Sequence, residues 1–278
     1  MAMASQPPKR PVVSESRRDA DLEGQDPRIA TTLARGLRIL GAFRASDNHP
    51  LTNKEIAERS RLPKATVSRL IYTLSRLGFI AIDERSGGFR LAAGVLAPAY
   101  VYLSQLDIRA VARPIMKRLA KYPNVTVTMS ARHELRMTTL DAVVADNLVP
   151  LVSFGGSAPI ARTALGHAYL AGLKPAARSG LMAEMRDHYA VEWPAIEQRI
   201  ERDVASVGRA GFCVVLGEWR PEISGVAAPV VIGDGELVLA ISAGGPAKLL
   251  SADLLKRIGK DLTEACREIE YAAGRQAS

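Results

Sequence analysis

Between Lys64 and Arg76 the sequence KATVSRLIYTLSR mixes two kinds of residue in a helical order. At 100° per residue, Ala65, Arg69, Tyr72 and Arg76 fall within about a 60° arc. Lys64, Thr66 and Ser68 lie near the start of the segment, at the flanks of that arc. Val67, Leu70, Ile71, Leu74 and Leu77 make the opposite, apolar side. The polar side is cationic, hydrogen-bonding and aromatic, and it carries no acid. Its chemistry is recognition of a polyanion. An arginine fork can hold guanine O6 and N7 together, which suits Arg69. Thr66 and Ser68 are short enough to reach base edges, and Ala65 leaves the approach open. Lys64, Tyr72 and Arg76 are better placed for phosphates, which position a protein without reading sequence. A recognition helix enters the major groove with its N-terminal residues nearest the bases.

The elements that must hold this face are legible around it. TTLARGLRILGAFRA places Leu33, Leu37, Leu40 and Phe43 three or four apart, a helical stripe. Thr52 and Glu55 have the spacing of a capping box, with Leu51 and Ile56 at the two positions of a hydrophobic staple. Arg61 and Leu62 make the next turn, and Pro63 suits a first helical position because its missing N–H would be unpaired there. Gly78 ends the helix. FIAID and FRLA then alternate around ERSGG, a hairpin with Gly87 and Gly88 at its tip. Three helices followed by a two-stranded hairpin is the order of a winged helix-turn-helix. Thr52 and Lys54 at the start of the second helix, with Arg85 and Arg90 on the hairpin, complete the expected DNA-binding residues.

Charge supports the same reading. The 278 residues carry a net charge of +8. Residues 29–95 hold 11 Lys and Arg against 5 Asp and Glu, whereas residues 96–278 hold 21 against 19. A basic unit beside a near-neutral one predicts that the first touches double-stranded DNA and the second does something else. Residues 1–28 are rich in Pro, Ser and charge and are expected to form a disordered arm. They hold no apolar core of a signal peptide, and no apolar run reaches the roughly 18 residues of a membrane span. Cys213 and Cys266 are the only cysteines, which fits a reducing cytoplasm and offers no CxxC site.

From residue 93 to 122 the pattern is helical, interrupted around Pro98 and Pro114, and apolar enough to pack on something such as a second subunit. Beyond it, VTVTMSA, LRMTTLDAVVA and LVPLVSF read as three strands, SAPIARTALGHAYLAGL as a helix, and residues 175–211 as two more. FCVVLGE, SGVAAPVVI and ELVLAISAG follow as strands, with Asp234 and Gly235 turning between the last two, before a terminal helix from near Ser251. The order predicts an α+β domain with a mostly antiparallel sheet over residues 123–278. In FGGSAPIARTALG, Gly155, Gly156 and Ser157 leave the third strand, and a helix start near Pro159 or Ile160 offers backbone N–H groups to a carboxylate. Glycines and alanines here serve close packing equally well. His49, His133, His167 and His188 show no metal spacing, and His167 reads as a packed or surface histidine. Cys213 reads as core. There is no nucleophile elbow, P-loop, dinucleotide fingerprint or paired catalytic carboxylate, so neither catalysis nor a cofactor is expected.

Several segments, taken together, resemble the isocitrate-lyase-regulator (IclR) family of bacterial transcription factors. They are RGLRILGAF (35–43), LTNKEIAERSRLPKATVSRLIYTLSRLGFI (51–80), the wing ending FRLA, GGSAPIARTALGHAYLA (155–171), RAGFCVVLGEW (209–219), GVAAPV (225–230) and DGELVLAISAGGP (234–246). The resemblance implies an N-terminal winged helix-turn-helix over residues 29–92 and a dimerising helical linker over 93–122. It implies a GAF-like effector-binding domain over 123–278, and assembly as a homodimer or a dimer of dimers. It points to Thr163, Ala164, Val215, Gly225, Ser242 and Gly244 as effector contacts, beside Gly156 and Ser157, with Met129 and Asp141 closing the pocket. Where family members often carry a glycine before the AAPV strand, this chain has Glu222. Where some present a cysteine or serine to the effector, it has Gly225. The expected function is a ligand-responsive regulator that binds a palindromic operator and a small organic, even aromatic, acid. The alternative is a DNA-recruited enzyme acting on a small carboxylic acid. Effector, operator and the sign of regulation are not legible.

Overall fold

The computed structural model describes residues 27–44, 46–104, 106–145 and 155–276. Most of the expected arm, residues 1–26, and the expected third strand at 148–154 lie outside the described residues. Helices α1 (Thr31–Leu40), α2 (Asn53–Ser60) and α3 (Lys64–Arg76) lead into strands β1 (Ile80–Ile82) and β2 (Phe89–Leu91). β1 and β2 pair antiparallel, and Leu51 bridges to Phe89 through bonds of 2.9 and 2.8 Å in both directions. That bridge pins the hairpin to the lead-in of α2. The capping box forms as its spacing predicts. The Thr52 hydroxyl accepts from the Glu55 N–H at 3.2 Å, and the Glu55 carboxylate accepts from the Thr52 N–H at 2.8 Å. Leu51 and Ile56, the staple pair, are both buried among Ile39, Val67, Ile71 and Ile80. Arg59 donates to both Asp47 oxygens at 2.9 Å and to the Ala42 carbonyl at 3.0 Å, closing the α1–α2 loop.

Two stripes differ from the sequence pattern. In α1 the buried residues are Gly36 and Ile39, while Leu33 and Leu37 are 64% and 59% exposed. Leu40 and Phe43 of the expected stripe do pack on the core, but Gly36 and Ile39 take the place of Leu33 and Leu37 on the buried side. Leu77, at the end of α3, is 63% exposed because the helix closes at Arg76. The prolines do not break the linker where expected. Pro98 lies in the first turn of α4 (Leu96–Ser104), where an N–H has no partner in the helix, and Pro114 sits inside α5 (Ile108–Leu119). The break falls between these helices instead.

The rest is one sheet with a helical layer on each face. β3 (Thr126–His133), β4 (Arg136–Val144), β5 (Ser157–Pro159), β6 (Cys213–Leu216), β7 (Ile223–Ile232) and β8 (Leu237–Pro246) pair antiparallel in the order β5-β4-β3-β8-β7-β6. The β7–β8 turn runs through Gly233, Asp234 and Gly235, all at positive φ. α5 and α9 (Ala252–Gln276) cover one face around Met116, Val127, Ile241 and Leu262. α6 (Ala164–Gly172) and α8 (Trp193–Ala210) cover the other, with α7 (Pro175–Tyr189) against α8. Among the described residues, no helix is long and apolar enough to cross a membrane.

The Thr52 N–H, then His49 and the Thr52 hydroxyl, hold the Glu55 carboxyl down at about 2. A depressed carboxylate stabilises the fold above its unfolded value, near 4.5, and the benefit is lost as pH falls toward 2. The melting temperatures of wild type and Glu55→Gln are therefore expected to differ at neutral pH and to converge only as pH falls to about 2 in a calorimetric pH series. A gap that persists unchanged into acid contradicts this.

Candidate functional site

On α3 the apolar side packs inward, with Val67 wholly buried and Ile71 nearly so. Lys64, Ala65, Ser68, Arg69, Tyr72 and Arg76 are exposed, and Thr66 is half-buried at the edge. Tyr72 stands 70% exposed. The Ser68 hydroxyl accepts from the Asn53 amide at 2.8 Å and donates to the Lys64 carbonyl at 3.0 Å, so it braces α2 against α3. Asn53 was not singled out in the sequence. The signal for it is its place as first residue of α2, facing the start of α3. The Thr52 hydroxyl serves the capping box, and Lys54 sits 3.8 Å from Glu58 on the exposed side of α2. Arg85 is exposed in the hairpin turn, where the Ser86 hydroxyl and N–H hold the Asp83 carboxyl below its usual range. Arg90 lies 3.7 Å from Asp83 on the same hairpin.

The second site is a hollow of about 700 Å³, counting its open mouth, between the α6 face of the sheet and the start of α6. Strand alternation builds its floor: Thr126 and Thr128 on β3, Ser242 and Gly244 on β8, Gly225 on β7, Val215 on β6 and Thr139 on β4. Thr128 and Ser242 share a hydrogen bond of 2.8 Å. Thr126 Oγ1 is buried with no hydrogen-bond partner among the described residues. Ala158, Ala164, Leu165 and Trp219 give apolar walls, and Arg162 and Glu218 bring charge. Thr163 caps α6, its hydroxyl accepting from the Gly166 N–H at 3.1 Å and donating to the Pro159 carbonyl at 2.8 Å. Ala164 and Leu165, the first residues of α6, line the hollow at the positive end of that helix. Arg162 binds Glu192 and lies over the Tyr189 ring at 5.7 Å, while Arg220 stacks on Trp219 at 4.6 Å. Among the described residues, no cluster of His, Cys, Asp or Glu could hold a metal ion.

The IclR helix-turn-helix domain matches residues 32–84, and the C-terminal domain of the bacterial transcriptional regulator IclR matches residues 100–271. The chain belongs to the IclR family. The regulator TsaQ1/TsaQ2 of Comamonas testosteroni is 31% identical, over 87% of this chain and 88% of its own. The Pca regulon regulatory protein of Pseudomonas putida is 25% identical, over 84% and 80%. An IclR-family regulator from Brucella abortus superposes with a TM-score of 0.77 at 37% identity, over 89% of this chain and 94% of that one. An IclR homologue from Microbacterium hydrocarbonoxydans, solved with 4-hydroxybenzoate, shares the fold at a TM-score of 0.67 and 22% identity, over 89% and 100%. These relatives are regulators, and this chain is an IclR-type transcriptional regulator with a DNA-binding and an effector-binding domain, not an enzyme.

Within this IclR-family domain the hollow gathers Thr163, Ala164, Val215, Gly225, Ser242 and Gly244. It leaves out four residues expected there. Met129 alternates with Thr128 and so points into the opposite core with α5 and α9. Asp141 pairs with Met129 across the strands, whereas Thr139 pairs with Ser130, so Leu140 is an extra residue in a β-bulge. The bulge turns Asp141 away from the hollow, onto Arg113 of α5. Gly156 is spent on pairing, its carbonyl accepting from the Thr139 N–H at 2.9 Å. Ser157 opens β5 and binds Arg136. The helix starts at Ala164 rather than near Pro159, because Ile160–Arg162 forms a 3₁₀ turn first. The sequence reading missed Thr126, Thr128, Thr139, Arg162, Glu218 and Ser224, although the alternation TVTMS carried a signal for the first two.

Gly166 is what lets α6 sit on that turn. A Cβ there would lie 2.1 Å from the Ile160 carbonyl oxygen. Gly166→Ala is expected to destabilise the fold by about 1–3 kcal/mol, the usual cost of overpacking, measured by urea denaturation. A variant as stable as wild type would show that the turn yields freely.

Proposed function

We propose that this regulator binds a palindromic operator as a dimer through its winged helices and takes a small organic acid with an apolar body in the α6 hollow. The observation that carries the effector reading is the meeting of a helix N-terminus with a hydroxyl floor and apolar walls. The carboxylate would rest at the Ala164–Leu165 N–H groups, beside Thr163, with the body over Val215, Gly225 and Gly244 and any hydroxyl toward Thr128 and Ser242. The hollow's mostly apolar lining with a few placed polar groups suits a small-molecule site. The 4-hydroxybenzoate of the Microbacterium homologue is the first acid to try. We read residues 29–92 as the DNA-binding unit, 93–122 as linker and 123–278 as effector unit.

The DNA reading rests on the exposed cationic side of α3, with Arg69 toward bases, Lys64, Tyr72 and Arg76 toward phosphates, and Arg85 and Arg90 along the neighbouring backbone. Thr52 and Lys54 flank it from α2. Dimerisation rests on apolar side chains left uncovered among the described residues: Leu33, Leu37, Leu96, Tyr100 and Val101 are each more than half exposed. No buried residue lies on α4. A face so apolar on a helix fits a second copy of itself.

Three measurements test this reading. Arg69→Ala is expected to cost about 1–3 kcal/mol on the operator and to relax base preference, while Lys64→Ala weakens operator and random DNA alike. Unchanged gel-shift titrations with Arg69→Ala would remove it from base reading. In a thermal-shift panel of aliphatic and aromatic acids, a binding acid at 100 times its Kd is expected to stabilise by about 2.7 kcal/mol, and Thr163→Val to reduce the shift. No shift from any acid overturns the effector class. Tyr100→Asp with Leu37→Asp is expected to give monomers by analytical ultracentrifugation, and an unchanged mass would place the dimer contact elsewhere.

A further inference from the structure

We propose that His167 is a positioning residue of the α6 hollow, held as an imidazolium that clamps the Ile160–Arg162 turn and the start of α6 to α8. The inference rests on the effector reading above for its functional consequence, and on hydrogen-bond chemistry for the clamp. His167 is 0% exposed and Asp203 is 3% exposed. The His167 Nδ1 lies 2.7 Å from an Asp203 oxygen, and its Nε2 lies 3.2 Å from the Ala161 carbonyl oxygen. A carbonyl can only accept. The other Asp203 oxygen accepts from Arg202 Nε at 2.9 Å. Burial pushes the Asp203 carboxyl up, but His167 and Arg202 outweigh it and leave it below its usual range, so this group too is an acceptor. Both ring nitrogens must then donate. A neutral imidazole has one N–H, and in either tautomer one of the two contacts would set lone pair against lone pair.

What the clamp holds is the wall of the hollow. Ala161 sits in the turn between β5 and α6, next to Arg162 and Thr163, both of which line the site. On the far side, Arg202 Nη2 reaches Glu218 at 3.3 Å, and Glu218 lines the site as well. The charged chain His167–Asp203–Arg202–Glu218 therefore begins at one wall and ends at another. The remaining ionisable groups around it are Arg199, 3.9 Å from Glu218, and Cys213 of β6. The Cys213 thiol, pushed up by burial, donates to the Ala164 carbonyl at 3.4 Å. A histidine present only to fill volume would leave this chain without its last donor.

The test begins with ring ¹⁵N NMR of the full-length wild-type protein near neutral pH. The expected result is two N–H correlations from one buried imidazole, assigned by its loss in His167→Gln. A single-proton tautomer overturns the proposal without any variant. In hydrogen exchange, His167→Gln, with a donor for only one partner, is expected to speed exchange at the Gly166 and His167-position amides about tenfold while α9 is unchanged. His167→Lys, whose ammonium can donate to both acceptors, is expected to restore protection. Equal exchange in wild type and His167→Gln overturns the positioning role, and where the variants do not fold the ring spectrum decides. Failure of the effector reading is separable. An imidazolium in a protein that no acid stabilises leaves the clamp standing, whereas acid binding beside a neutral His167 removes only the clamp.

Discussion

An extended strand must send successive side chains to opposite faces. In the six-stranded sheet both faces are buried, so each strand writes two surfaces at once. On β3, Val127 and Met129 complete the core under α5 and α9, while Thr126 and Thr128 turn to the other face. β8 repeats this, with Leu239, Ile241 and Ala243 on one side and Ala240, Ser242 and Gly244 on the other. Hydroxyls and glycines in place of larger apolar side chains leave open space beside the N-terminal end of α6, where the Cys213 thiol of β6 still reaches the Ala164 carbonyl at 3.4 Å. The hollow is the space that small residues leave, beside a second apolar core that α6 and α8 build on the same face around Leu170, Ile196, Val215 and Ala240.

The DNA-binding unit solves the same problem with a helix. α3 has one buried side and one exposed side, and the small core of Ile39, Ile56, Val67, Ile71 and Ile80 fixes which is which. Polar bonds then set the angle between elements. Asn53 to Ser68 joins α2 to α3, Arg59 to Asp47 closes the first loop, and the Leu51–Phe89 bridge aligns the hairpin with α2. Each fixes a direction, and the exposed Asn53–Ser68 bond contributes only about 1 kcal/mol or less net. Direction matters to a helix that must enter a groove about 12 Å wide.

Periodicity made the fold readable wherever apolar residues do the packing. The order of helices and strands, the Thr52 capping box and the Asp234–Gly235 turn all follow from local rules. The reading failed where packing is done by something other than a large apolar side chain. On α1 it is Gly36 and Ile39, not Leu33 and Leu37, that are buried, and a glycine leaves no apolar signal. The bulge at Leu140 shifts the alternation of β4 by one, which no composition signals, and so Asp141 leaves the hollow. Half of the floor came from resemblance. The hydroxyls of β3 could have come from alternation alone, had the neighbouring strands been known. Glu218, Arg162 and Trp219 join the site only through tertiary contact, and nothing in their spacing marks them.

The bulge also bears on how the two ends of the chain can speak to each other. An effector changes operator affinity only if it binds two arrangements of the protein with different affinity. Thr139 lines the hollow, and Asp141, two residues on, holds Arg113 of α5 on the opposite face. α5 lies in the C-terminal domain match and packs on the sheet through Ile115, Met116 and Leu119, on the chain's path from the winged helix. β4 is therefore the strand on which the hollow and the α5 contact are two residues apart, through a segment already out of register with β3. Adjacency is not coupling, which needs two states that both sites bias.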